Sequence, residues 1–133
     1  MMISTKGRYA LRVMTTLAKN NEDRPIPLKD IAGDQGISLK YLESIMSILV
    51  KNGLVEGASG KGGGYRLKRD PVEYSLGEIL RITEGSLDPV ACPAIEGEYC
   101  EMNERCPTFP VWKELSDLIN GFLDSKTLED LTV

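Results

Sequence analysis

Apolar residues recur at helical spacing from the start of the chain. Ala10, Val13, Met14 and Leu17 mark one face of a helix expected over Thr5–Lys19. Pro25 and Pro27 then break the chain. "PLKDIAGDQG" predicts a short second helix with Leu28, Ile31 and Ala32 inward and Gly36 at the turn, where glycine takes a positive φ without steric cost. Ser38 suits the cap of a third helix, Ser38–Lys51. Its inner stripe is Leu39, Leu42, Ile45, Met46 and Leu49, and Gly53 follows the last turn.

The period changes in "LVEGASGKGGGYRLKRD". Leu54 and Val55 before the glycines, with Tyr65 and Leu67 after them, predict a two-stranded ribbon with a glycine tip. Tyr74–Glu84 predicts a short amphipathic helix with Leu76, Ile79, Leu80 and Ile82 apolar. Gly85, Pro89 and Pro93 mark irregular chain. After Pro110 a long helix is expected, with an apolar seam of Val111, Trp112, Leu115, Leu118, Ile119, Phe122 and Leu123. Packing within the chain and pairing with a second copy are equally open for that seam. "TLEDLTV" adds one more turn.

Two short helices joined by a glycine turn, then a ribbon, read as a winged helix-turn-helix. The expected fold is mostly α with a small β wing. Residues 1–70 form a DNA-binding domain, and 71–133 hold an effector loop and a dimerisation helix.

Charge sharpens this division. Residues 1–69 carry 12 Lys/Arg against 6 Asp/Glu, a net +6, and residues 70–133 carry 4 against 14, a net −10. A basic half in an acidic chain fits a module that binds a polyanion. The outward row of the third helix, Ser38, Lys40, Tyr41, Glu43, Ser44 and Ser47, offers phosphate ligands and base-edge partners. At the wing tip the bare backbone of Gly62 and Gly63 can approach the sugar-phosphate chain, and Lys61, Arg66, Lys68 and Arg69 supply charge.

Other functions find little support. Gly60 and Lys61 mimic the centre of a phosphate-binding loop, but Val55 and Gly62 stand where its first glycine and its hydroxyl belong. Tyr65 breaks the dinucleotide fingerprint in the same way. No nucleotide cofactor is expected. The chain has no histidine and no nucleophile–base pattern, so it does not read as an enzyme. No apolar run approaches the roughly 18 residues of a membrane helix. The N-terminal stretch does not resemble a signal peptide, and the odd cysteine count argues against a disulfide framework. A cytoplasmic location without membrane contact is the expectation.

All three cysteines lie in one polar segment, spaced Cys92-x7-Cys100-x5-Cys106. Neither gap matches the short pairs of structural zinc sites, and a C-x-x-C redox pair is absent. Longer gaps suit a cluster of several iron atoms. The spacing alone leaves open a cluster, a thiol switch, zinc and unligated cysteines. Glu96, Glu98, Glu101 and Glu104 surround the thiols, and negative neighbours are expected to raise thiol pKa values.

"STKGRYALRVM", "ISLKYLESIMSILVKNGLV", "GKGGGY", "SLGEIL" and "LSDLINGFLDSKTLEDL" together resemble the Rrf-type winged-helix repressors, the family of IscR, NsrR, RirA and CymR. The resemblance spans the chain and is closest in pattern to the IscR-like iron–sulfur regulators. It implies a homodimer with crossing C-terminal helices, a double-stranded DNA operator, a recognition helix in the major groove and a wing in the minor groove. Tyr41 and Glu43 fall where IscR-like members meet DNA. Ser59 stands where a minor-groove arginine is found in the family, so a different operator is implied. For Cys92, Cys100 and Cys106 the resemblance implies ligation of an iron–sulfur cluster, 2Fe-2S ahead of 4Fe-4S, of a kind readily lost in air. Phe109 replaces the family's histidine ligand and Arg8 its alternative acidic one, so the fourth ligand must be a loop carboxylate, a hydroxyl or a small molecule.

Overall fold

The computed structural model describes residues 3–20, 24–102 and 104–133. Among them are five α-helices: α1 (Thr5–Ala18), α2 (Leu28–Gln35), α3 (Leu39–Lys51), α4 (Leu76–Glu84) and α5 (Phe109–Ser125). One antiparallel pair, β1 (Val55–Ala58) and β2 (Gly64–Leu67), completes the mostly α architecture with its small wing. Short 3-10 turns lie at Pro71–Glu73, Pro93–Glu96 and Leu128–Leu131.

Serine starts three of the helices. Ser4 Oγ accepts from Gly7 N at 3.1 Å, Ser38 Oγ from Tyr41 N at 3.2 Å, and Ser75 Oγ from Glu78 N at 3.0 Å. Each satisfies one amide left without a helical partner. Gly36 ends α2 in the left-handed region, at φ 63°. The core gathers Ala10, Val13, Met14 and Leu17 of α1, Ile31 of α2, and Leu42, Ile45, Met46 and Leu49 of α3. Leu54, Val55, Tyr74, Ile79 and Leu128 close it. Leu28 and Ala32 are half-buried against it.

Leu39 departs from the expected stripe: it is 47% exposed. Its helical phase is right, but it is the first residue of α3, and that turn reaches past the core that buries Leu42 and Ile45. Tyr74 also departs. It lies outside α4, which begins after Ser75, and its side chain is fully buried.

The wing pairs Val55 with Leu67 through to Ala58 with Gly64. Ile26 adds a short bridge on the other edge of β2, donating to Tyr65 O at 2.9 Å and accepting from Tyr65 N at 2.8 Å. Gly64 makes this approach possible: a Cβ there would strike the Ile26 carbonyl, and its φ of 153° disfavours other residues.

In α5 the expected seam splits. Trp112, Ile119 and Leu123 are half-buried, whereas Val111, Leu115, Leu118 and Phe122 are 57%, 38%, 63% and 60% exposed. The contact with α4 and the chain just beyond it includes several polar pairs. Arg81 forks onto Asp124 at 2.8 and 3.0 Å and reaches Asn120 Oδ1 at 2.7 Å, and Ser116 Oγ donates to Asp88 at 2.8 Å. Ser116 is the one buried residue of α5. Packing within the chain therefore accounts for only part of the seam. No described helix is long and apolar enough to cross a membrane.

Candidate nucleic-acid interface and cysteine loop

α3 keeps its apolar stripe inside, so its other face points outward. Ser38, Lys40, Glu43, Ser44 and Ser47 are exposed and Tyr41 is half-buried. Ser38, Lys40, Tyr41 and Ser44 line one depression of about 340 Å³. Ser44 Oγ donates to Tyr41 O at 2.7 Å, which leaves its oxygen lone pairs facing out. One surface thus presents an ammonium, a carboxylate, hydroxyls and a phenol, the groups needed to hold phosphates and read base edges.

The position of α3 depends on residues that helical periodicity does not single out. Tyr9 of α1 meets Tyr41 edge to face, with ring centres 5.9 Å apart. The Arg12 guanidinium lies 4.9 Å from the centre of the Tyr9 ring. It also donates to the side chain and the carbonyl of Gln35, both at 2.9 Å. Gln35 immediately precedes the Gly36 turn. Thr16 Oγ1 donates to Asp34 at 2.9 Å and so holds α1 to the end of α2. Tyr9 and Tyr41 are both half-buried against the core, and no fixed spacing in the sequence marks such a pair.

At the wing, Ser59, Lys61 and Gly62 are exposed and Gly63 is half-buried, its amide donating to Gly60 O at 3.0 Å. Gly60 and Gly62 hold φ values of 87° and 80°. The charge at the wing differs from the expectation. Arg66 pairs with Glu56 across the ribbon at 2.6 Å. Arg69 turns inward, 2.6 Å from Glu78 and 4.2 Å from the centre of the Tyr74 ring. The hydrogen bond to Glu78 raises its pKa above the ordinary arginine value. Lys61 and Lys68 remain exposed for an outside anion.

The cysteines lie between the end of α4 and the start of α5. All three are unpaired and half-exposed. Among the described residues no three His, Cys, Asp or Glu side chains gather at one point, so the structure does not bring the three thiols together. Cys106 sits just before α5, 3.4 Å from Thr108 Oγ1. Its pKa is lowered, first by the Thr108 hydroxyl and then by the backbone amides of Thr108 and Phe109. This corrects the expectation of a raised value for that thiol. Donors at a helix start favour the thiolate, and here they outweigh the opposing effect of burial.

The Rrf2 family model, described as an iron-dependent transcriptional regulator, matches residues 3–133. The HTH-type transcriptional regulator IscR of Photorhabdus laumondii is 44% identical over 131 residues, covering 98% of this chain and 79% of that protein. Among solved structures, CymR (YrzC), the global cysteine regulator of B. subtilis, superposes with a TM-score of 0.83 at 39% identity, covering 99% of this chain and 96% of that one. The T. potens IscR structure gives 0.78 at 37% identity, covering 98% and 85%. These relatives are regulators and not enzymes. With a helix-turn-helix, a wing and a match running over residues 3–133, the chain belongs to the Rrf2 family of DNA-binding transcriptional regulators.

Proposed function

We propose that this protein is a homodimeric repressor of transcription whose affinity for a double-stranded DNA operator is set by an iron–sulfur cluster on Cys92, Cys100 and Cys106. The observation that carries the DNA-binding part is the exposed polar row of α3, together with the exposed glycine tip of the wing that follows it in the chain. In this reading residues 1–70 read DNA, and 71–133 sense the signal and pair the copies. Ser38 and Lys40 hold phosphate, and Tyr41, Glu43, Ser44 and Ser47 face base edges. Ser59, Lys61, Gly62 and Gly63 approach the neighbouring minor groove. The exposed seam Val111–Leu115–Leu118–Phe122 supports a two-fold dimer, because it leaves a self-complementary apolar row uncovered.

The cysteine loop fits a cluster in donor chemistry. Three unpaired, accessible thiols lie on one irregular segment, and thiolates are the usual ligands of such clusters. It is not a preformed cage, so the loop has to reorganise to gather the thiols. Cys106, with its lowered pKa, offers a ready thiolate. A bound cluster supplies redox sensitivity and a rigid cross-link, with 2Fe-2S favoured over 4Fe-4S. Cys92 follows α4 and Cys106 precedes α5, so ordering this loop acts on both helices at once. A coupling of about 1–3 kcal/mol there changes operator affinity about 5–150-fold.

Protein purified without oxygen should contain iron and sulfide and absorb visible light, and the Cys→Ala triple variant should do neither. Unchanged spectra in that variant sink the cluster assignment. Operator affinity should fall steeply with salt, by about 0.9 log units of affinity per log unit of salt for each neutralised phosphate. A binding constant indifferent to salt sinks the DNA interface. The lowered pKa of Cys106 favours a second reading, control by thiol oxidation without iron. A peroxide-dependent loss of DNA affinity in iron-free protein, abolished by Cys106→Ser, distinguishes it.

A further inference from the structure

One buried hydroxyl closes the base of the wing. The paired rungs of the ribbon stop at Val55 and Leu67. The next rung would join Leu54 to Lys68, and the Tyr74 phenol stands in its place. Tyr74 Oη donates to Leu54 O at 2.7 Å and accepts from Lys68 N at 3.1 Å and Arg69 N at 3.0 Å. Leu54 begins the chain that leaves α3, and Lys68 and Arg69 leave β2. A single oxygen therefore ties the exit of the recognition helix to the exit of the wing. The ring is held independently: it is fully buried, with the Arg69 guanidinium against it.

The main chain of the same residue faces the other way. Tyr74 O accepts from Leu128 N at 2.9 Å, and Lys126 O accepts from Leu76 N at 2.9 Å. These bonds form the bridge between Ser75 and Thr127, just past the end of α5. Tyr74 is thus clasped by its hydroxyl to the wing and by its backbone to the segment that follows the seam helix.

The geometry points to Tyr74 as a positioning residue for DNA recognition, one that fixes the wing at a set angle to α3 without touching DNA. This rests on the DNA-binding reading above. Without the hydroxyl, two wing-base amides and one carbonyl lose their partner while the ring and its packing remain. The wing then swings, and Lys61 no longer meets the backbone in register with α3.

The test uses Tyr74→Phe, Lys61→Ala and the double variant. The probe is a duplex recovered by the wild-type protein from a random-sequence pool, with affinity measured over a range of salt. Tyr74→Phe should weaken binding about tenfold, inside the range usual for couplings of this kind. Lys61→Ala should reduce the salt slope by about one in the wild type and leave it unchanged in Tyr74→Phe. A loss of folded protein alone would lower the active fraction without changing either slope. Amide exchange in the wild type provides a check that needs no variant: the Lys68 and Arg69 amides should be protected, and exchange at solvent rates overturns the inference. So does a Tyr74→Phe protein that binds normally and still responds to Lys61→Ala. A wild-type slope of zero overturns the DNA-binding reading itself.

Discussion

Replacing Leu118 and Phe122 together by alanine tests the exposed seam. The two side chains are 63% and 60% exposed in the single chain. A second copy can therefore bury about six tenths of each. Full burial of such a side chain stabilises by about 1.5–3 kcal/mol, so each contributes roughly 1–2 kcal/mol on pairing. Two residues in each of two copies give roughly 4–7 kcal/mol. At about 1.4 kcal/mol per factor of ten, the dimer dissociation constant should rise roughly 10³–10⁵-fold. The lower end is the better expectation, because real interfaces leave some of this area incompletely packed.

The same exposure predicts little harm to the protomer, since substitutions at exposed sites usually change stability by within about 0.5 kcal/mol. Sedimentation velocity over a concentration series separates the two effects. The wild type should sediment as a dimer, and the variant as a folded monomer with an unchanged circular dichroism spectrum. A wild-type protein that stays monomeric at every concentration refutes the reasoning. A variant that dimerises as tightly as the wild type refutes it equally, by showing that pairing uses another surface.

Two further predictions concern other parts of the fold. Gly64→Ala puts a Cβ into the Ile26 carbonyl at a backbone angle that favours glycine; it should cost about 2 kcal/mol or more, read by urea unfolding, and near-wild-type stability would contradict the close approach of Ile26 to β2. In iron-free protein Cys106 should ionise below the ordinary thiol range, so its reaction with iodoacetamide should rise with pH through a lowered midpoint, and Thr108→Val should move that midpoint back up; a midpoint that ignores Thr108 removes the assigned cause.

Periodicity revealed the helices because burial on one face leaves a record every three or four residues. It located the stripes of α1 and α3, and the glycines marked the wing. It misread Leu39, because phase says which way a side chain points and not whether anything covers it. It left α5 undecided for a related reason. An amphipathic helix normally turns its apolar side to its own domain, yet here Val111, Leu115, Leu118 and Phe122 stay exposed while Ser116, Asn120 and Asp124 bond to Asp88 and Arg81. Tyr74 was read as the first residue of a helix. The value of its hydroxyl depends on a carbonyl twenty residues before it and on two amides six and five residues before it, and helical periodicity does not encode that. The charge of Arg66 and Arg69 was counted for DNA, but their carboxylate partners become visible only once the ribbon pairs and α4 packs beneath it.

The contrast between the two halves bears on how a signal travels. The helix-turn-helix is joined by a close apolar core, which resists gradual deformation. The α4–α5 contact includes the bonds of Arg81 to Asn120 and Asp124, and Asp88 just beyond α4 bonds to Ser116, several of these residues being partly open to solvent. Such pairs are individually weak, about 0–1 kcal/mol when exposed, and can be exchanged without opening a cavity. The cysteine loop spans these same two helices, leaving α4 after Gly85 and entering α5 at Phe109. α4 in turn reaches α1 through Glu84, which accepts from both Ser4 N at 3.2 Å and Ser4 Oγ at 2.6 Å. A change in the loop would therefore act on two helices that are joined in part by exchangeable polar pairs. The two elements it moves are joined to α1 at one end and to the base of the wing at the other.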